Sequence, residues 1–286
     1  MGIIIAIYAS FFLALSQASL KKSFRELPSS VAFLFDAIFA LILWVPLALF
    51  MGVHMDQLVA ALPYAIVSAI LSEALFFYAL TKGQLSITSI LLGSYAIYTV
   101  LFSFLLNGER LSQWQLVAVV VTIVGTLLVY LPSKFSWSEL KQMGAVLWPL
   151  AAAVGIGLSD TLSKGFIDKS GDYSFLFALA LVQIPVAYIY LRLEKQKVMS
   201  SLTDVFSQAR KYKQILAGSF FNVVGTGLLW VSFTYTLASI ASPITATSGA
   251  LVVLFAVFLL DEDLNWRSAL ALVLVFIGIM GIALTS

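Results

Sequence analysis

The sequence predicts an all-α integral membrane fold, ten transmembrane helices in two inverted five-helix repeats, and three observations carry that prediction. Hydrophobic residues fill 61% of the 286 positions, charged residues 10%, and the mean hydropathy is +1.02. Too little polar surface remains to wrap a soluble globule. The stretch VLFSFLLNGERLS, Val100 to Ser112, returns as VLFAVFLLDEDLN, Val253 to Asn265, with six of thirteen positions identical at an offset of 153. Such repetition sets the architecture of the whole chain. Each half holds five apolar segments, and an odd number places the two halves in the bilayer with opposite orientation.

Crossing the ~30 Å hydrocarbon layer takes about 20 mostly apolar helical residues. The first segment that meets this runs from Gly2 to Leu20. It lacks the basic start of a signal peptide, and its Leu15, Ser16 and Lys21 recur as Leu158, Ser159 and Lys164 at an offset of 143. It is therefore expected to stay as the first helix. The second runs from Ser29 to Met51 after Pro28, a residue suited to a first helical turn. Gln57 to Leu80, Leu85 to Leu106 and Gln113 to Leu131 follow, the last closed by Pro132. The second half repeats the plan with Gly144 to Phe166, Tyr173 to Leu193, Gln214 to Leu237, Ile240 to Leu260 and Arg267 to Leu284. The expected division is residues 1–132, a linker at 133–143, and residues 144–286. One long polar loop, Arg192 to Lys213, carries Leu202, Val205 and Phe206 on one side and reads as a short helix at the membrane surface.

Basic residues set the expected orientation. The loops after the odd-numbered segments hold thirteen Lys and Arg (Lys21, Lys22, Arg25, Lys82, Lys134, Lys141, Arg192, Lys195, Lys197, Arg210, Lys211, Lys213 and Arg267), and the other face holds Arg110, Lys164 and Lys169. The basic face is then cytoplasmic and both termini lie outside.

Several chemistries have no material here. A net charge of +2 gives no reason to expect a nucleic-acid partner. Without cysteine there is no thiolate chemistry or cysteine metal site. GxxxxGK[ST] is absent, which leaves ATP-driven transport by this chain unsupported, and no cofactor motif is present. His54, the sole histidine, lies in a loop beside Asp56. One His and scattered acids make neither a metal site nor a catalytic triad, so no enzymatic function is expected.

From Phe76 to Gln115 the chain reads FFYALTKGQLSITSILLGSYAIYTVLFSFLLNGERLSQWQ. This resembles the EamA repeat of the drug/metabolite transporter superfamily, whose fourth helix ends in an aliphatic run and Gly-Glu-Arg-Leu before a fifth helix with a central glycine. Here those are Gly108, Glu109, Arg110, Leu111 and Gly125; the second copy keeps Glu262, Leu264 and Gly278. The family's first-helix Trp-Gly pair is absent, Gly157 survives in the second copy, and Asp36 stands where the family often carries Arg. The resemblance implies a cell-membrane secondary transporter with the substrate site at the repeat interface. It also implies cytoplasmic termini, opposite to the charge count.

Charge inside a membrane costs roughly 2.5 to 3.5 kcal/mol on insertion scales, so intramembrane acids are functional candidates. Asp36 and Glu73 each lie about seven residues from a span end, ~10 Å inside the same leaflet, with Gln17 and Asn222 at similar depth. Together they describe a polar cavity in which Glu73, with Asp36, carries a coupling proton or binds a cationic group. Interhelical hydrogen bonding or an ion pair with Lys21 is the alternative. Asp160 and Lys164, one turn apart, read as an interfacial pair, and Glu109 and Glu262 as loop anchors.

Tyr95, Tyr98, Thr99 and Phe102 follow i, i+3, i+4, i+7 beside Ser94, while the equivalent stretch of the ninth span is small and polar, with Thr247, Ser248 and Gly249. An aromatic wall facing small residues would form a pocket, to which Tyr78 and Trp230 would add cation-attracting surface; lipid-facing or packing roles are the alternative. Gly225 and Gly227 allow close approach or a break in the eighth span.

The expected function is export or exchange of a small polar metabolite, an amino acid or amine, by alternating access. Antiport of cationic amines or drugs against protons is the alternative within transport, and translocation of a lipid-linked intermediate the alternative outside it. Expected partners are a small solute, protons if coupling operates, and the lipid bilayer, with the chain a monomer or weak dimer.

Overall fold

Twenty or so apolar residues in hydrocarbon must satisfy their own backbone, so the described chain is helix joined by short turns. The computed structural model describes residues 1–23, 28–82, 85–131, 143–207, 212–260 and 266–285. The expected linker up to residue 142, the second-copy Glu262 and Leu264, and Arg25, Lys134, Lys141, Arg210 and Lys211 lie outside them.

In order, α1 is Gly2–Ser23 and α2 Ser29–Met51. The third span joins α3 (Leu58–Val67), a π-helical stretch (Ser68–Ala74) and α4 (Leu75–Lys82). The fourth joins α5 (Leu85–Gly93) and α6 (Tyr95–Leu106), and α7 is Gln113–Tyr130. The second repeat has α8 (Met143–Ser170), α9 (Asp172–Leu193), the loop helix α10 (Val198–Ser207) and α11 (Lys213–Tyr235). Its ninth span joins α12 (Ala238–Ala246) and α13 (Ser248–Leu260), before α14 (Trp266–Thr285). Among the described residues nine segments are long and apolar enough to cross a membrane, and Ile90–Leu106 supplies a shorter tenth.

The two repeats interlock by a rule that reads the same from either side. The first span packs along the eighth and the third along the sixth; the fourth packs on the sixth and the ninth on the first; the second meets the seventh and the fifth the tenth. Two of these contacts depend on glycine. A Cβ on Gly278 would stand 2.2 Å from the Thr122 hydroxyl and 2.7 Å from its amide nitrogen. At Gly125, 153 residues earlier, it would stand 2.8 Å from the Val275 nitrogen. In the α1–α11 contact a Cβ on Gly225 would meet Leu13 at 2.7 Å, and where α11 meets α2 one on Gly227 would meet the Trp44 indole nitrogen at 2.6 Å. Close approach is thus what these glycines do; α11 runs unbroken from Lys213 to Tyr235.

Three expectations of regular helix are corrected. The fourth and ninth spans break at Ser94 and Thr247, equivalent positions at the offset of 153. At each break the side-chain hydroxyl donates to the carbonyl three residues back, Leu91 and Ile244, both at 2.6 Å. This back-bonding competes with the helical ladder and bends it. The third span carries its π-helical stretch at Ser68–Ala74, where Ser68 hydrogen-bonds to Ser159 (2.7 Å) and Ser163 (2.9 Å) of α8. The loop helix α10 does not rest its apolar side on the membrane: Val205 is fully buried and Leu202 packs with it against the bundle, while the side chain of Phe206 lies outside the described residues.

At the face opposite the basic loops, charges hold helix ends. Glu109 accepts from the backbone nitrogens of Ala238 (3.1 Å) and Ser239 (2.9 Å) and from the Ser239 hydroxyl, which caps α12 from the other repeat. It is the loop anchor its position suggested. Lys164 donates to the Phe233 carbonyl at 2.8 Å near the end of α11. An anion at a helix start and a cation at a helix end both complement the helix dipole. On the basic face Glu194 does the same for α2, accepting from the Ser30 nitrogen (3.0 Å) and the Ser29 hydroxyl (2.9 Å).

Two outcomes follow. Gly278→Leu forces α7 from α14 and costs about 2 kcal/mol, read as a lower midpoint of thermal unfolding in detergent; an unchanged midpoint would contradict the packing. Glu109→Ala strips two amides of their acceptor, so hydrogen exchange at Ala238 and Ser239 accelerates about tenfold or more. Unaltered exchange there would remove Glu109 as the clamp.

Candidate functional site

Between the repeats lies a cavity of about 500 Å³. Its walls come from the first, third, fourth, fifth, sixth, eighth and ninth spans, and it runs from Asp160 and Trp230 to Leu20, Leu80 and Leu131. Those three leucines end the first, third and fifth spans on the basic side, so the cavity extends toward the basic face. The clamps at Glu109 and Lys164 stand at the other.

Of the residues expected at a site, Gln17, Glu73, Tyr95, Asn222, Trp230 and Ser248 line this cavity. Glu73 is 2% exposed and sits in the π-helical stretch, a distortion frequent at functional positions. Asn222 donates to Asp36 at 2.9 Å and lines the cavity with Glu73. Asp36 itself is behind Asn222 and outside the lining, so it acts on the cavity through that amide. Gln17 does not join this group; it donates to Ser248 at 2.9 Å. Trp230 is wedged against Phe175 (5.2 Å) and Phe233 (5.5 Å), and its indole N–H has no partner among the described residues.

The aromatic wall is not assembled. Because the helix restarts at Tyr95, Tyr95 turns to the cavity and donates to the Ser242 carbonyl at 3.1 Å. Tyr98 lies on α8 instead, where a Cβ on Gly157 would be 2.6 Å from its own. Tyr78 packs edge-on to Trp148 at 5.1 Å. Ser94 and Thr247 serve the helix breaks, Thr247 also bonding the Ser10 hydroxyl at 3.0 Å.

The pairing expected between Asp160 and Lys164 does not form. Lys164 reaches toward its membrane face and pairs with Asp168. Asp160 turns into the bundle, fully buried, and its Oδ2 accepts from Ser242 (2.6 Å) and Thr99 (3.2 Å). It lines the same cavity as Glu73. The repeat carries the signal for it: at the offset of 143, Asp160 is the second-repeat counterpart of Gln17. Tyr130 was also missed. Its ring fills the space a Cβ would take at both Gly93 (2.6 Å) and Gly249 (2.2 Å), beside the two helix breaks.

The electrostatics are one-sided. Among the described residues Asp36 Oδ2, Glu73 Oε1 and Asp160 Oδ1 are buried without a hydrogen-bond partner, and none of the described residues lining the cavity is Lys, Arg or His. Glu73 is close enough to Asp36 and to Asp160 for their charges to interact. Among the described residues no group of three or more His, Asp or Glu is placed to hold a metal ion. What the arrangement offers is acceptors and negative charge around a cavity of about 500 Å³.

Known proteins fit this architecture. An uncharacterised transporter of Clostridium kluyveri is 22% identical over 215 residues, 74% of this chain and 68% of that protein. The pseudopaline exporter CntI of Pseudomonas aeruginosa is 25% identical over 192 residues, 65% of this chain and 66% of the exporter. A solved structure described as "Crystal structure of protein" superposes with a TM-score of 0.71 at 17% identity, covering 99% of this chain and 97% of that one, which shows the shared fold. The sequence model of the EamA-like transporter family matches residues 1–131 and 143–284. Matched through both repeats, this chain belongs to the EamA-like transporter family and is a multi-pass membrane transporter of the drug/metabolite superfamily.

Proposed function

We propose that this transporter moves a small polar metabolite bearing a protonated amine, an amino acid or amine, by alternating access in export or exchange. The observation that carries the reading is the cavity between the repeats, lined by buried carboxylates and, among the described residues, by no basic side chain. A protonated amine supplies the missing charge and several donors, and the Trp230 ring adds a cation-attracting face. For an amino acid, the unpaired indole N–H and the Gln17 and Asn222 amides offer donors to its carboxylate. A lipid-linked intermediate would need a basic headgroup pocket, which this lining lacks.

The cavity extends toward the basic face, which the charge rule places in the cytoplasm, and loading from inside suits export. An exporter among the relatives supports that direction. When no solute is bound, protons are the other means of neutralising Glu73 and Asp160, which favours antiport against protons over facilitated diffusion.

Counterflow into proteoliposomes with an amino-acid and amine panel, with and without a pH gradient, tests this. Wild type exchanges at least one amine-bearing solute, the gradient accelerates it, and Glu73→Gln lowers its uptake on the order of tenfold or more and removes the response to the gradient. If no panel member moves, the substrate class is wrong. If Glu73→Gln matches wild type throughout, Glu73 has no part in binding or coupling.

A further inference from the structure

Asp160 is the second acid of the cavity, and its surroundings narrow the reading above. It is fully buried, and its two oxygens live differently. Oδ2 is held by the hydroxyls of Ser242 and Thr99, from the ninth and fourth spans, at 2.6 and 3.2 Å. Oδ1 has no partner among the described residues. Hydroxyls orient a carboxylate but bring no positive charge, and the nearby Lys164 is engaged with Asp168 and the Phe233 carbonyl. Across the same cavity Glu73 presents the same condition, 2% exposed with Oε1 unpartnered. An unpaired buried charge is strongly unfavourable, whereas a paired and hydrogen-bonded one is tolerated. Each acid thus has room for one cationic partner, and the described residues provide neither.

We propose that Glu73 and Asp160, one carboxylate from each repeat, form a two-point cation site that takes a solute with two cationic nitrogens, a diamine, in preference to a monoamine of the same chain length. This rests on the amine-transport reading and narrows it. The two acids belong to different repeats, so a dication joins the repeats across the cavity and favours its closure around the solute. A monoamine satisfies one acid and leaves the other to a proton.

The test compares cadaverine with pentylamine and putrescine with butylamine, in exchange by wild-type proteoliposomes and in thermal stabilisation of the purified protein. Wild type half-saturates with each diamine at a concentration about tenfold below that of its monoamine, as expected for one added charge-assisted contact. Asp160→Asn brings the half-saturating and stabilising concentrations of the two within about twofold of each other, since an uncharged amide no longer discriminates. If Asp160→Asn fails to fold, Thr99→Val with Ser242→Ala loosens the carboxylate and reduces the preference by roughly threefold. A wild type that handles diamine and monoamine alike, or an Asp160→Asn variant that keeps the preference, overturns the two-point site. In that event monoamine exchange lost in Glu73→Gln leaves the amine-transport reading standing; exchange of no amine at all, with no stabilisation by either kind, removes both.

Discussion

Every acid in this bundle must find compensation in a medium without water, and how each one does so separates structure from function. Glu109 is compensated by the start of α12, where two amides and a hydroxyl converge on it. Glu194 is compensated by the start of α2. Unpaired amides at a helix start form a ready anion site, so both charges are at rest and both fix the geometry of a span end. Glu73 and Asp160 receive nothing of the kind. Two hydroxyls hold one oxygen of Asp160, and Glu73 Oε1 and Asp160 Oδ1 have no partner among the described residues. A group that protein folding leaves unsatisfied at depth is one that another species completes.

The repeats are alike in sequence and cannot be alike in shape at one moment. Ser94 and Thr247 occupy equivalent positions, break their helices by equivalent hydrogen bonds, and place α6 and α13 beyond the breaks. The fold thus has two matching joints. At the face opposite the basic loops, the end of α6 is tied through Glu109 to the start of α12. Toward the basic face the cavity runs out to Leu20, Leu80 and Leu131. A closed face in one half and a cavity in the other is what an inverted pair gives when one repeat rocks against its partner.

The spans were legible because hydropathy over twenty residues is a strong signal, and the inversion because five is odd. Glu73 and Asn222 were legible by depth alone, since helical rise converts sequence position into height. Depth does not give azimuth, which is why Gln17 was grouped with Asp36 and Asn222 although it faces Ser248. Asp160 was obscured by Lys164 four residues on, a spacing that suggests a pair; burial of the acid and the reach of the lysine toward its own membrane face separated them. The repeat offset, which matches Asp160 with Gln17, held the better signal. Tyr98 and Tyr78 fell to helix packing because a stripe of rings has the same period whether it meets a solute or another helix. The π-helical stretch and the wedge made by Tyr130 depend on contacts between spans distant in sequence, and no local pattern encodes them.

The placement of the acids also constrains the transport cycle. An empty cavity holding Glu73 and Asp160 as bare charges would have to carry them through the closed state, away from water on both sides, at a cost of several kcal/mol for each ion. Closure is far easier once cations or protons occupy them. On the proposed reading, the same groups that bind also forbid the empty, charged carrier from turning over, and the pathway is then an exchanger in which what leaves with the solute is replaced before the repeats rock back. Glu73 has no acidic counterpart in its own position of the second repeat, where the offset of 153 gives Thr226, and Asp160 has none in the first, where the offset of 143 gives Gln17. The two repeats thus each bring one acid to the cavity, and a coupling of the proposed kind would depend on both repeats at once.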